Sequence, residues 1–353
     1  MQIDYLIIGQ GISGTFLSWE LQKAGRSVMV MDKVNPRSAS RVASGVINPV
    51  TGRRIVKTWM IDELMPFARE AYRQIGQTLH IGCIAQKDII DCFATPQMRI
   101  AFTSRYEQDP QYLALPADEA DQRAYLQYDF GYGIVHPCYW IDMGSLLQRY
   151  RQQLRQDGRL IEETFDVSEL AVKEDHIQYG SITAEKILFC DGVAGFSNPF
   201  FQQLPHAANK GEALLVEIPG LPDTHIIKKG YSLVPWKENI FWLGSTYLWE
   251  FENDAPTPGF HQFAGNWLRQ TIRLPFTIVD HLAALRPATL ERRPFIGLHP
   301  AHGSVGIFNG MGTKGCSLAP YFARQMRNLL VDNQPVLPEA DVQRFRRVLS
   351  RES

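Results

Sequence analysis

Apolar and polar positions alternate in blocks that name their own elements. The run Tyr5-Leu6-Ile7-Ile8 predicts a strand buried on both faces. Residues 13–24 then read as a helix that stops at Gly25, and Val28-Met29-Val30-Met31 reads as a second buried strand that ends in Asp32. Residues 35–54 are small and polar, and fit neither a regular helix nor a central strand. Helical periodicity returns at residues 61–79. Residues 81–127 mix short β-prone pieces with loops and carry no motif. Trp140-Ile141-Asp142 leads into a helix over 143–156 with Asp142 as its N-cap. Residues 166–170 and 187–190 are β-prone, the latter run ending in Asp191-Gly192. From Gly211 to Tyr247 the runs 213–218, 232–235 and 240–243, separated by Gly and Pro, predict antiparallel hairpins. Residues 305–308 then predict a strand, Asn309 to Gly315 a glycine loop, and 316–330 a helix.

This order gives an α/β chain in which a Rossmann-like, discontinuous cofactor domain surrounds a substrate domain with an antiparallel sheet. The expected division is 1–80, 131–205 and 280–353 for the first, 81–130 and 206–279 for the second. Composition fits an ordinary globular protein: 353 residues, 45% hydrophobic and 21% charged. The formal net charge of -1 offers no global attraction to nucleic acid. Five scattered cysteines without a CxxC pair argue for free thiols and against a zinc site, and no metal is expected. The chain opens on Asp4 without a basic leader or cleavage site, and no apolar run reaches transmembrane length. A cytoplasmic location without membrane contact is therefore expected.

The candidate chemistry starts at Gly9-Gln10-Gly11-Ile12-Ser13-Gly14. Gly9 allows a tight turn, Gly11 lets a pyrophosphate approach the backbone, and Gly14 lets helix and strand pack closely. Asp32 stands where a ribose hydroxyl is accepted. The motif alone leaves NAD and FAD both open.

Several further segments accompany it in order: Ala43-Ser44-Gly45, Leu285 to Thr289 with Arg293 to Gly297, and Gly310 to Gly315 with Leu318-Ala319-Pro320. Weaker matches are Trp140-Ile141-Asp142, Lys210-Gly211-Glu212 and Gly244-Ser245-Thr246-Tyr247. Together they resemble the FAD-dependent amino acid oxidase family, which includes glycine oxidase, monomeric sarcosine oxidase, D-amino acid oxidase and the oxidase half of the bifunctional tRNA wobble-uridine modifying enzyme. The resemblance implies one FAD, bound non-covalently because Arg286 occupies roughly the place of the flavin-linking cysteine of sarcosine oxidase. Its pyrophosphate would lie at Gly9, Gly11, Ile12, Ser13 and Gly14, its ribose at Asp32 and Lys33, and its adenine near Val167. Ala43, Ser44 and Gly45 would lie along the pyrophosphate and flavin, and Gly192 near the ribose and pyrophosphate. Gly310, Met311, Gly312, Thr313 and Lys314 would reach the flavin ring, where a helix N-terminus and a lysine would stabilise the anion formed on reduction.

The same resemblance implies a small-molecule amine carrying a carboxylate as substrate, oxidised at its C–N bond by hydride transfer to flavin N5. Water would hydrolyse the imine, and oxygen or another acceptor would reoxidise the flavin. Arg286 would clamp the carboxylate, with an ion pair to Glu291 as its structural alternative. Arg54 and Lys314 match the two cations of sarcosine oxidase, and Thr246 and Tyr247 join the candidate site residues. Three cations exceed the need of one carboxylate, so some serve the flavin or the substrate carries two acidic groups. His136 and Tyr247 are candidate proton-transfer groups. The chain departs from the family at three places. Ser232 replaces a substrate-clamping tyrosine, and Tyr231, one position earlier, points to the wrong face. Trp242 replaces the oxygen-activating lysine of sarcosine oxidase. Met311 replaces a histidine. A modified uridine in tRNA, an NAD-dependent dehydrogenase and a catalytically idle flavoprotein are the alternative readings.

Overall fold

The computed structural model describes residues 1–52, 54–117 and 121–350. Its first sheet has a parallel core in the order Leu160–Ile161, Val28–Met31, Gln2–Ile8, Ile182–Phe189, Val305–Asn309. Phe295–Leu298 extends it antiparallel, and the hairpin Leu170–Val172 and Ile177–Tyr179 pairs with the start of Ile182–Phe189. Burial on both faces explains the unbroken apolar runs. Tyr5, Ile7, Val28 and Val30 face a core shared with the helices Ile12–Lys23, Ile61–Leu79 and Gly315–Asp332, while Leu6, Ile8, Met29 and Met31 pack against Phe189 and Phe201. In register, Ile8 lies opposite Met31 and Phe189, so Gly9, Asp32 and Cys190 leave the sheet together at its C-terminal edge. Ligands of open parallel sheets bind at this edge.

The second sheet runs Thr277–Thr289, His206–Glu217, Ile240–Gly244, Tyr231–Lys237, Ile226–Lys229, Ile89–Cys92, Tyr132–Val135, Leu113–Ala114. All neighbours are antiparallel except Ile226–Lys229 on Ile89–Cys92. Its outer face is covered by the helix Pro258–Thr271 through Phe260, Ala264, Trp267 and Leu268. The inner face contributes Ile89, Ala213, Ile226, Val234 and Trp242 to the large core.

The pattern reading locates the helices at 61–79 and 143–156 to the residue. In the second, the Asp142 Oδ1 accepts from the Ser145 amide at 2.9 Å. Elsewhere the structure corrects it. The stretch 81–127 contains the thirteen-residue helix Pro96–Gln108, which buries only Phe102 and so carries almost no apolar period. Residues 39–42 form one helical turn within the polar stretch. Residues 167–169 form a 3-10 turn, and the strand begins only at Leu170.

Candidate functional site

A cavity of about 780 Å³ opens between the C-terminal edge of the parallel sheet and the second sheet. Its floor is the first glycine loop. Gly9 has φ +99°, and a Cβ there would stand 2.6 Å from the Cys190 carbonyl oxygen. A Cβ on Gly14 would stand 1.9 Å from the Gly9 carbonyl oxygen, a backbone atom that cannot yield. The helix Ile12–Lys23 therefore starts close against the strand, with its N-terminus at the cavity wall. Gly9, Gly11, Ile12 and Ser13 line the cavity, and Gly14 lies behind them as the packing glycine. The Ile12 amide donates to Ser40 Oγ at 3.0 Å.

Asp32 lines the same wall with Lys33, and its carboxylate is oriented from two sides. The Gln10 amide donates to Oδ1 at 2.9 Å, and Arg151 Nη1 donates to Oδ2 at 2.7 Å. Arg151, nearly buried on the helix Met143–Gln156, also donates to the Asp32 carbonyl and to Glu162. Val167 and Gly192 line the cavity at its far end. Beside Gly192, burial raises the Asp191 carboxyl to about 7, against bonds that include Asn309 Nδ2 at 3.2 Å. Ala43 and Ser44 line the cavity. Gly45, at φ +77°, instead backs onto Ile141, whose carbonyl a Cβ would meet at 2.1 Å.

The C-terminal glycine loop closes another side. Gly310 turns at φ +81°, and Gly312 donates its amide to the Pro287 carbonyl at 3.0 Å, which ties the loop to the strand carrying Arg286. Met311, Gly312 and Thr313 line the cavity, and Gly310 lies behind them. Lys314 is not part of that lining. Burial pushes its ammonium down to about 8, and the neighbouring Lys228 charge adds to the shift.

Arg286 lines the cavity, and its guanidinium lies over Gly211, where a Cβ would stand 1.9 Å from Nη2. Three neutral acceptors hold it: Asn209 Oδ1 at 2.5 Å from Nη1, and Ser245 Oγ at 2.7 Å and the Thr246 carbonyl at 3.1 Å from Nη2. Glu291 is not its partner, because it pairs with Arg344. Among the described residues no carboxylate acts on Arg286, and burial lowers its pKa. A planar donor with N–H groups to spare and no counter-charge suits a ligand carboxylate.

The remaining candidates separate. Thr246 contributes through its carbonyl, while its Oγ1 accepts from the Glu212 amide at 2.8 Å. The Tyr247 ring centroid is 5.6 Å from the guanidinium, and the residue is 43% exposed at the rim. Arg54 is exposed at the turn of the hairpin Val50–Thr51 and Val56–Lys57, outside the cavity lining. His136 lies outside it too, its amide bonded to the Tyr112 carbonyl. Tyr231 packs on Phe260 and Phe263 at the outer face, as its odd register predicts. Trp242 lines the cavity and donates Nε1–H to the Val42 carbonyl at 2.9 Å. The sequence reading did not single out Ser40, Arg151, Asn209 or Asn309. All four act through partners distant in the chain, and the single nearby signal was the polar, small-residue setting of Ser40.

The sequence profile described as FAD dependent oxidoreductase matches residues 4–329. The glycine oxidase of Pseudomonas aeruginosa is 22% identical, over 95% of this chain and 96% of the relative. The crystal structure of glycine oxidase from Bacillus cereus superposes with a TM-score of 0.79 at 17% identity, covering 94% of this chain and 98% of the other. Iminodiacetate oxidase from Chelativorans sp. BNC1 gives 0.75 at 18% identity, covering 98% of both.

Proposed function

Since the chain belongs to the FAD dependent oxidoreductase family, we propose that it oxidises the C–N bond of a small amine that carries a carboxylate, and that Arg286 holds that carboxylate. The chain is an FAD-dependent enzyme of the amino acid oxidase type, which sets aside the NAD-dependent and idle readings. The cradle fits the cofactor: glycines that let the loop turn and the helix pack close against the strand, one helix N-terminus at the first loop and another behind the C-terminal loop, and an acidic residue oriented by Arg151. Held non-covalently, FAD would rest on Gly9, Gly11, Ile12, Ser13, Asp32 and the 310–314 loop, and it supplies the acceptor for the substrate's electrons. In the same proposal residues 1–80, 131–205 and 280–353 serve the cofactor, and 81–130 and 206–279 shape the substrate side, with strands of either part entering the second sheet.

One observation carries the reading: Arg286 is a cavity-lining guanidinium, fixed by three neutral acceptors and left without a counter-charge. A bound carboxylate supplies that charge and fixes the amine relative to the cavity wall, and orientation is the protein's share of such a reaction. With the amine bound neutral, the reaction requires no side-chain base. Water reaching the cavity then hydrolyses the imine product.

The test is an anaerobic titration of the flavin-loaded protein with glycine, sarcosine, proline, iminodiacetate and D-amino acids in turn. Bleaching of the visible flavin band by a carboxylate-bearing amine, and not by the matching amine without a carboxylate, is the expected result. Bleaching by both alike would remove Arg286 from the role.

A further inference from the structure

The chain that follows the strand Ile240–Gly244 stays alongside the strand His206–Glu217. The Thr246 amide donates to the Glu212 carbonyl at 3.2 Å, the Lys210 amide to the Leu248 carbonyl at 2.9 Å, and the Leu248 amide to the Lys210 carbonyl at 3.0 Å. Leu248 therefore lies opposite Lys210 and shares its face. Side chains alternate along an extended segment, so Tyr247 and Trp249 point to the other face, that of Asn209 and Gly211. Arg286 lies opposite Asn209 in register, with its guanidinium over Gly211. The two rings thus stand on the face of the clamp, as the 5.6 Å from the Tyr247 centroid to the guanidinium requires. Ser245 and Asp254, on either side of them in the chain, both line the cavity.

Both rings are held in place yet left uncovered. Tyr247 is 43% exposed and Trp249 48%, and they meet edge to face with centroids 5.3 Å apart. Asn209, wholly buried, donates Nδ2–H to the Leu248 carbonyl at 2.9 Å while its Oδ1 accepts from Arg286, so one side chain sets the spacing between clamp and rings. The far end of the segment is fastened as well. Lys210 Nζ donates to the Ala255 carbonyl, and Glu212 Oε2 accepts from the Thr257 amide at 2.7 Å. Single exposed apolar side chains are ordinary on a protein surface. Two large rings pinned side by side at a cavity mouth, beside a cation without counter-charge, instead offer apolar area that a ligand of that cation can cover.

We infer that Tyr247 and Trp249 form the specificity wall of the substrate pocket, and that the substrate is an amine carrying an aromatic group a few bonds from its carboxylate. The inference rests on Arg286 holding that carboxylate. Two rings crossing at 83° form a corner, which a third ring completes by stacking on one and turning its edge to the other. The hydrogen or methyl of a small aliphatic substrate leaves that corner to water. Tyrosine and tryptophan suit such a wall because each offers a large, rigid surface at a small cost in side-chain entropy.

The experiment uses the flavin-loaded protein and three probes in which sulfur replaces the amine: methylthioacetate, phenylthioacetate and cyclohexylthioacetate. Titration followed by the flavin spectrum should give at least tenfold tighter binding of phenylthioacetate than of methylthioacetate, and at least threefold tighter than of cyclohexylthioacetate. In Trp249→Ala the phenyl-to-methyl ratio should fall at least fivefold, whereas Trp249→Phe should keep most of it. Equal affinities of the phenyl and methyl probes, or a ratio that survives Trp249→Ala, would overturn the wall. A cyclohexyl probe that binds as tightly as the phenyl one would overturn the aromatic substrate. The clamp is judged apart from these ratios: loss of methylthioacetate binding in Arg286→Gln upholds it, and unaltered binding overturns it. Absence of binding by every probe overturns both readings.

Discussion

Replacing Gly211 with alanine tests the carboxylate clamp without removing any group that makes it. A Cβ at this position would stand 1.9 Å from Arg286 Nη2 and 2.3 Å from Cζ. Ordinary contact begins near 3.4 Å, so the guanidinium must retreat by about 1.5 Å. The same atom, Nη2, makes the 2.7 Å and 3.1 Å bonds to Ser245 and Thr246, and neither bond survives that shift. Hydrogen bonds to charged groups contribute about 1.5–3 kcal/mol each, and a displacement of this size at a binding group costs up to ~100-fold. We expect the apparent Kd for a carboxylate-bearing amine to rise about 10- to 100-fold. The fold should hold, since the backbone at Gly211 is extended strand and the clash is with the end of a flexible side chain. The assay pairs flavin content and Tm with anaerobic flavin reduction across substrate concentration. An unaltered Kd in a variant that retains its flavin would refute the placement of Arg286.

Other expectations follow from the same geometry. Gly14→Ala drives a Cβ against a backbone oxygen, so the variant should either fail to fold or purify without flavin, which absorbance reads directly. Arg151→Met strips Asp32 of its guanidinium partner within a nearly buried pair, and should lower stability by about 3–5 kcal/mol and weaken FAD retention in a dialysis assay.

What could be read from the chain was local. Gly9 to Gly14, Asp32 after the second strand, and Asp142 ahead of its helix are signals contained in a few consecutive residues, and each stands where its spacing predicts. Arg151 was invisible because its partner Asp32 lies 119 positions away, and only the packing of the helix Met143–Gln156 on the parallel sheet joins them. The two longer unread helices begin with Thr95-Pro96 and Thr257-Pro258, a cap and a proline at the first turn. Their signal was present in the sequence, but the weak apolar period of the first concealed it. Arg54 carries the right charge in a plausible loop, and only the hairpin geometry shows that it stands outside the cavity lining. The ion pair of Lys228 with Asp91 needs a parallel strand pairing across 137 positions, which no local pattern contains.

The most direct test of the central claim is the rate of anaerobic flavin reduction against concentration of the best amine substrate, in the unaltered protein and in Arg286→Gln. Loss of the buried charge should raise the apparent Kd at least tenfold, while the flavin stays bound because Arg286 makes no part of the glycine cradle. A variant that retains its flavin and saturates at the same concentration as the unaltered protein would contradict the account.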